Sequence, residues 1–271
     1  MRIDTLGGMA VTFLVVGAAA SLAEKLWPSS RSRGRLTSAR VTDWVYWPFS
    51  ALVTGNLTRM ATMGAVGFAA VALGFRGQAR AVPGWIDEHT WGIGHLPVIA
   101  QLVVTVGLGD LVNYWNHRLR HTRWLWPFHA VHHSPETLDW LSSVRMHPVD
   151  DLVDNVGVGL FVMALGARPE VWLATGPFLF FFNAWLHANV SWRLGPLEYV
   201  VATPAFHRWH HAAETTETPC NFAGVLPAWD LLFGTFRLPA RAPRAFGTNL
   251  NVPATLPSQL AFPFRYFLGR R

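Results

Sequence analysis

The sequence predicts an all-α integral membrane protein, with about four to five transmembrane or membrane-embedded helices and a cytosolic helical cap that holds a histidine-rich dimetal site. Three observations predict it. Of the 271 residues 51% are apolar and 14% charged, with uncharged runs longer than a soluble core helix normally carries. Arginines collect between those runs in an alternating pattern. Nine of the 12 histidines fall in short boxes or just beside one.

The first expected span runs from about Leu6 to Ala23, through Gly7, Gly8, Met9, Val15, Val16 and Ala20. At about 1.5 Å per residue it crosses most of a hydrocarbon core of about 30 Å. A cleaved signal peptide competes, but Arg2 with Asp4 is a poor positive leader, and Glu24 and Lys25 follow where small residues belong. A second apolar zone, Val45 to Phe75, is interrupted by Asn56, Thr58 and Arg59; it reads as an interfacial segment followed by a span, or as one long tilted helix. The third, Leu96 to Trp115, runs straight into the first histidine pair. The fourth and fifth, Leu152 to Leu165 and Val171 to Leu186, are joined only by GARPE and predict a tight antiparallel hairpin that need not cross the whole bilayer. It begins beside Asp150, Asp151 and Asp154 and ends at His187.

Orientation follows from the arginines. Arg31, Arg33, Arg35 and Arg40 precede the second zone, Arg118, Arg120, Arg123 and Arg145 follow the third, and Arg193, Arg208, Arg237, Arg241, Arg244, Arg265, Arg270 and Arg271 follow the fifth. The positive-inside rule makes these regions cytoplasmic and leaves Arg76, Arg80 and Arg168 opposite, which puts every histidine box on the cytosolic side. The net charge of +6 suits an anionic membrane surface. No nucleic-acid partner is expected, because the basic residues are spread through loops beside spans. Cys220 stands alone, which excludes an intramolecular disulfide, and nothing in the sequence resembles a thiolate zinc or iron–sulfur site. One structural domain is expected, comprising N-terminal helices and loops (1–95), a histidine-bearing region (96–240) and a basic tail (241–271).

The boxes are His117 with His121, then His129, His132 and His133, then His207, His210 and His211, with His187 just ahead of the last. Residues three or four apart share a helix face, so each box is expected to aim its imidazoles at a common point. Neutral imidazole is a common metal ligand, and about nine are too many for one ion, so two metals are implied. A lone pair such as His117 and His121 would more often be structural. The repeated His-x-x-His-His is harder to dismiss, because adjacent buried imidazoles each need a partner.

The run DLVNYWNHRLRH (Asp110 to His121), WPFHAVHHS (Trp126 to Ser134), MHP (Met146 to Pro148) and the later LHANV and GPLEYVVATPAFHRWHHA resemble the fatty acid hydroxylase and sterol desaturase superfamily of membrane di-iron oxygenases. The resemblance covers about Gly107 to Phe236. It implies two irons, dioxygen, electrons from a separate reductase chain, and hydroxylation or desaturation of a lipid. It makes His117, His121, His129, His132, His133, His207, His210 and His211 ligands, and His187 one more. His147, in the His-Pro motif, is left as ligand, outer-shell residue or substrate gate. Asp110, two helical turns before His117, is expected to orient a ligand imidazole, or else to bond Asn113 or Asn116 between helices. With no segment resembling the fused haem domain of some relatives, the electron donor is expected to be another protein.

The chemistry agrees with that implication. Attack on an unactivated C–H bond exceeds acid–base side chains and calls for a redox metal with dioxygen. Zinc fits the ligands but cannot cycle, so zinc in a purified sample would be a substitute for iron. Trp115, Trp124, Trp126, Phe128, Trp140, Trp185, Trp192 and Trp209 lie around the boxes and either line a lipid route or simply anchor and pack. Two rivals remain. A metal transporter needs ionisable groups along its spans, where only Arg59 and Asp110 stand out. A zinc lipid hydrolase needs a carboxylate base, for which Glu136, Asp139 and Glu214 are available. Within the oxygenase class, hydroxylation is preferred to desaturation.

Overall fold

A computed structural model describes residues 3–30, 38–88 and 91–269; Arg2, Arg31, Arg33, Arg35, Arg270 and Arg271 lie outside them. All regular structure among the described residues is helical, apart from isolated bridges between Pro28 and Val190 and between Ala212 and Phe246.

Helix α1 (Ile3–Leu26) is followed by α2 (Ser38–Phe49), a five-residue π turn (Ser50–Thr54) and α3 (Gly55–Ala72). The last three form one continuous helical run, so the 45–75 zone is a single element as far as Ala72. Pro48 accounts for the π turn. It withholds an amide from the helical ladder, and in the wide turn that follows Gly55 N–H reaches back to Ser50 O. Short α4 (Val82–Glu88) leads to α5 (Val98–Arg120), the one helix among the described residues long and apolar enough to cross a membrane by length and composition. Then come α6 (Trp126–His133), α7 (Pro148–Ala164) and α8 (Pro169–His187). The chain continues through α9 (Pro204–His210), α10 (Ala228–Leu232) and α11 (Leu256–Phe267). Pro127, Pro148, Pro169 and Pro204 each open their helix, where a missing amide costs nothing.

The central layer is α5 against α7 and α8, with α3 on the outer side of α7. The 17 residues of α7 and the 19 of α8 reach roughly 25–29 Å, but they form an open hairpin rather than the tight one expected: each packs on α5, and a cavity between them keeps them from packing on each other. At the hairpin's tip two glycines fix the turn. Gly92 (φ +51°) and Gly166 (φ +73°) take left-handed conformations, and a Cβ on either would come within 2.3 Å of a backbone oxygen, of Leu165 and Trp91 respectively. Gln101 accepts from Arg168 N there at 3.0 Å, and Arg168 Nε donates to Gly94 O at 3.1 Å. This end is opposite the histidines, which sit at the C-termini of α5 and α8 and beside the N-terminus of α7.

The first 95 residues are tied into the histidine end. Glu24 of α1 is buried and accepts from the amides of Trp140 and Asn189, both at 2.9 Å. Gly17 lets the Trp140 ring lie against α1, where a Cβ would sit 2.7 Å from it. Asp43 of α2 pairs with buried Arg145 at 2.7 Å.

Candidate metal centre

Four elements carry the nine histidines: the end of α5 (His117, His121), α6 (His129, His132, His133), the last residue of α8 (His187), and α9 with its C-cap (His207, His210, His211). All nine come together, but not box by box. One group holds His117, His121, His129, His133 and His210; the other holds His132, His187, His207 and His211. Within each group one ring nitrogen per residue lies within 4.8 Å of all the others. The expectation that each box aims at one common point is therefore corrected. In both His-x-x-His-His boxes the outer pair, one turn apart, serves one group while the middle histidine faces the other way. The groups adjoin, with the His133 and His211 rings stacked at 4.3 Å.

Hydrogen bonds to backbone carbonyls set four of the rings. His117 Nδ1 donates to Phe222 O (2.8 Å), His210 Nδ1 to Cys220 O (2.7 Å), His132 Nδ1 to Arg145 O (3.0 Å) and His187 Nδ1 to Asn183 O (2.8 Å). A proton held on Nδ1 leaves Nε2 as a lone pair. In the five-histidine group all five Nε2 atoms are buried without a hydrogen-bond partner. In the four-histidine group Nε2 atoms face one another, His132 to His187 at 3.3 Å, His187 to His207 at 3.2 Å and His207 to His211 at 3.1 Å. For His132 and His187, both with Nδ1 on a carbonyl, this sets lone pair against lone pair. Ligands about 2.0–2.1 Å from a shared ion lie about 3 Å apart, so the spacing fits a metal between them. Burial also keeps the rings uncharged: it pushes His210 down to about 3 against the pull of the Cys220 carbonyl, and holds His129, His132, His133, His207 and His211 well below the usual imidazole range.

The carbonyls of Cys220 and Phe222 belong to a loop pinned by side chains. Two carboxylates collect five successive amides. Asp230 accepts from Phe222 N and Ala223 N, both at 2.8 Å, and Asp110 accepts from Gly224 N, Val225 N and Leu226 N at 2.7–3.0 Å. Asn221, fully buried with φ +59°, bonds Phe206 O and both backbone groups of Arg237. Asp110 thus acts through this loop and does not touch an imidazole; the direct bond expected for it is absent because its oxygens are engaged by the amides. The carboxylate that faces a group histidine is Asp150, whose Oδ2 is 3.6 Å from His129 Nδ1, both side chains 1% exposed. Sequence reasoning missed Asp150, Asp230 and Asn221. The only available sign was Asp150 directly after the His-Pro motif.

His147 lies outside both groups. Its Nδ1 accepts from Val149 N at 3.2 Å, capping α7, and its Nε2 donates to Leu260 O at 3.2 Å, tying in α11. Both nitrogens are committed, which leaves no lone pair for a metal. The hydrolase candidates stand away from the histidines: Glu136 is exposed, Asp139 caps the 140–144 turn, and Glu214 pairs with Arg241 at 2.6 Å on the surface.

A cavity of about 520 Å³ between α5, α7 and α8 opens onto His117 and His129 of one group and His132 and His207 of the other. None of the eight aromatic residues singled out in the sequence lines it; Trp172, Phe180 and Phe182 do. Trp126 packs instead on His121 and His133, at 5.0 and 5.2 Å between ring centres.

Comparison with known proteins gives consistent results. The fatty acid hydroxylase family model matches residues 102–235. Over 182 residues, 65% of this chain and 54% of the relative, the sequence is 34% identical to an ornithine lipid hydroxylase of Rhizobium tropici. It is 34% identical over 153 residues to the alkylglycerol monooxygenase of Homo sapiens, covering 56% of this chain and 32% of that protein. A very-long-chain aldehyde decarbonylase of Oryza sativa subsp. indica is 27% identical over 171 residues, 58% of this chain and 25% of that protein. The chain spans about half or less of the length of these relatives. No solved structure matches it.

Proposed function

Because the chain belongs to the fatty acid hydroxylase superfamily, we propose that it is a membrane-bound, di-iron, dioxygen-dependent oxygenase that hydroxylates a lipid. One observation carries this reading: two adjoining groups of buried imidazoles, with orphaned or mutually opposed ring nitrogens, open together onto a largely apolar cavity. His117, His121, His129, His133 and His210 would hold one iron, and His132, His187, His207 and His211 the other. Bound there, the irons would supply the redox change that makes dioxygen able to attack an unactivated C–H bond.

The protein's own residues do the rest. The carbonyls of Phe222, Cys220, Arg145 and Asn183 fix four rings with Nε2 inward, and such outer partners typically matter about 10–100-fold in metal affinity or activity. The walls of the cavity bind the lipid and exclude water beside the histidines. One oxygen atom enters the C–H bond and the other leaves as water, with electrons drawn from a separate donor protein.

We place the chain in a membrane with the histidine end cytoplasmic. Exposed apolar side chains such as Phe68 (79%), Ile99 (72%) and Leu173 (77%) stud α3, α5 and α8 and suit lipid contact. The arginine bias supports the orientation. Single-cysteine labelling should find position 237 but not position 80 open to the cytosol.

The deciding experiment is lipid mass spectrometry of a host that expresses the wild type or His210→Ala together with electron donors. A gain of one oxygen that is absent in the variant is expected. Loss of two hydrogens instead would make the enzyme a desaturase, and no change in any lipid would overturn the reading.

A further inference from the structure

Helix α9 is used on two sides. His207, His210 and His211 belong to the metal groups, whereas Ala205, Arg208 and Trp209, on the opposite face at roughly 100° per residue, line a second cavity of about 190 Å³. Its other walls come from Ser29 beyond α1, from Val190 to Arg193 beyond α8 and from Pro239 to Pro243 beyond α10. Three arginines line it, Arg193, Arg208 and Arg241, and no Asp or Glu does.

Two of the three are neutralised. Arg193 pairs with Glu198 at 2.9 Å and Arg241 with Glu214 at 2.6 Å. Arg208 has no such partner. It is 3% exposed, its guanidinium lies 4.7 Å from the Phe246 ring centre, and Nη1 donates to Leu138 O at 3.1 Å, while Nε is buried with no hydrogen bond. Burial lowers its pKa to about 10, so it remains a cation at neutral pH. The carboxylates that act on it are engaged elsewhere, Glu24 by the amides of Trp140 and Asn189, and Asp139 by Arg40 at 3.5 Å. Among the described residues the indole N–H of buried Trp209 and the hydroxyls of Ser29 and Ser191 likewise make no hydrogen bond. A buried cation beside unspent donors calls for an anion. Donors that converge from separate segments suit a tetrahedral oxyanion better than a flat carboxylate, which one guanidinium fork would satisfy.

We infer that this cavity is a phosphate-binding site, in which Arg208 and Trp209 of α9 together with Ser29 and Ser191 close around one phosphate group and clamp α9 from the side away from the histidines. The phosphate is that of a membrane phospholipid. Trp192 of the lining packs against the exposed Trp27 ring at 5.8 Å, and such aromatic pairs suit the headgroup layer. The lipid source rests on the proposed membrane placement; the phosphate site itself does not, and neither depends on the reaction at the histidines.

Binding and melting test both parts. The purified, metal-loaded full chain, in a detergent without phosphate, is titrated at constant ionic strength with dioctanoyl phosphatidylglycerol, with dioctanoylglycerol, which lacks the phosphate, and with inorganic phosphate. Phosphatidylglycerol should bind and raise the melting temperature by about 5 °C or more near saturation, and dioctanoylglycerol should not. Arg208→Gln should weaken that binding about 10-fold or more. Ser191→Asp, at an exposed position where no buried bond is lost, should do the same by setting a carboxylate in the cavity, with metal content as in the wild type, so the test stands even if Arg208→Gln fails to fold. Inorganic phosphate that binds as tightly as phosphatidylglycerol and displaces it would keep the phosphate site and overturn the lipid source. No binding of either phosphate compound, equal effects of phosphatidylglycerol and dioctanoylglycerol, or affinity unchanged in Ser191→Asp would overturn the inference as a whole.

Discussion

In the five-histidine group two rings from distant parts of the chain, His117 and His210, are aimed by one shared loop, whereas in the four-histidine group His132 and His187 are each aimed by a separate carbonyl within 13 residues. His117 and His210 take their orientation from carbonyls of Phe222 and Cys220, and the loop carrying those carbonyls is hung on Asp110, Asn221 and Asp230. His187 donates to Asn183, one turn back on α8, and His132 to Arg145, 13 residues on. Similar boxes thus feed two centres with different supports. The difference teaches that the residues able to bind a metal and the residues that aim them are separate, and that only the first kind leaves a pattern in the sequence.

The largest effect should come from removing a ligand on either side. His210→Ala is expected to strip the five-histidine group and His187→Ala the four-histidine group, each halving bound metal and lowering turnover by more than about 100-fold, beyond the usual outer-shell range. Metal analysis of both variants decides it; loss of all metal in either would show one coupled centre and break the comparison.

Asp110→Ala frees three amides in a buried place and should loosen the loop, lowering activity about 10–100-fold with metal lost from the five-histidine group alone. Asp110→Asn, which keeps an acceptor, should be milder. Full activity in Asp110→Ala would show that the loop holds its shape without the carboxylate. Asp150→Asn should lower activity about 10-fold through His129, again on the five-histidine side, and an undiminished metal content and rate would separate Asp150 from the centre.

Acid should treat the two groups alike. His210 is held down to about 3 from a usual 6.5, and its buried neighbours move in the same direction, so between those limits the unfolded chain takes up protons that the folded chain does not. Stability is therefore full above about 6.5 and falls as the pH drops toward 3. Melting of metal-free protein across that range checks the sign, and constant stability would contradict burial of neutral rings. Smallest of all is Cys220→Ser. The residue holds His210 by its backbone oxygen, while its thiol only donates weakly to Trp209 O at 3.7 Å, so metal content and turnover should match the wild type.

The sequence by itself determined that the chain is helical, which histidines the fold gathers, and the family it resembles. Helical spacing and residue type are local properties, and a ligand must be a residue able to donate a lone pair. Local spacing also marked α5 and the helices α7 and α8, although not that these two stand apart, and it left the 45–75 zone undecided between two elements and the single helical run that the structure shows. It misjudged the division of the boxes, because a face is defined only relative to what packs against it, and His132 and His210 were assigned to their groups by α8, by the 220–226 loop and by the Arg145 carbonyl. Asp110 looked like a partner for His117 on the same helix face. Its oxygens instead meet amides more than a hundred residues away, and His147 likewise spends both nitrogens on the backbone. Tertiary structure alone decided these points, since a buried polar group takes whichever partner the fold brings within reach, and no spacing along the chain records which one that is.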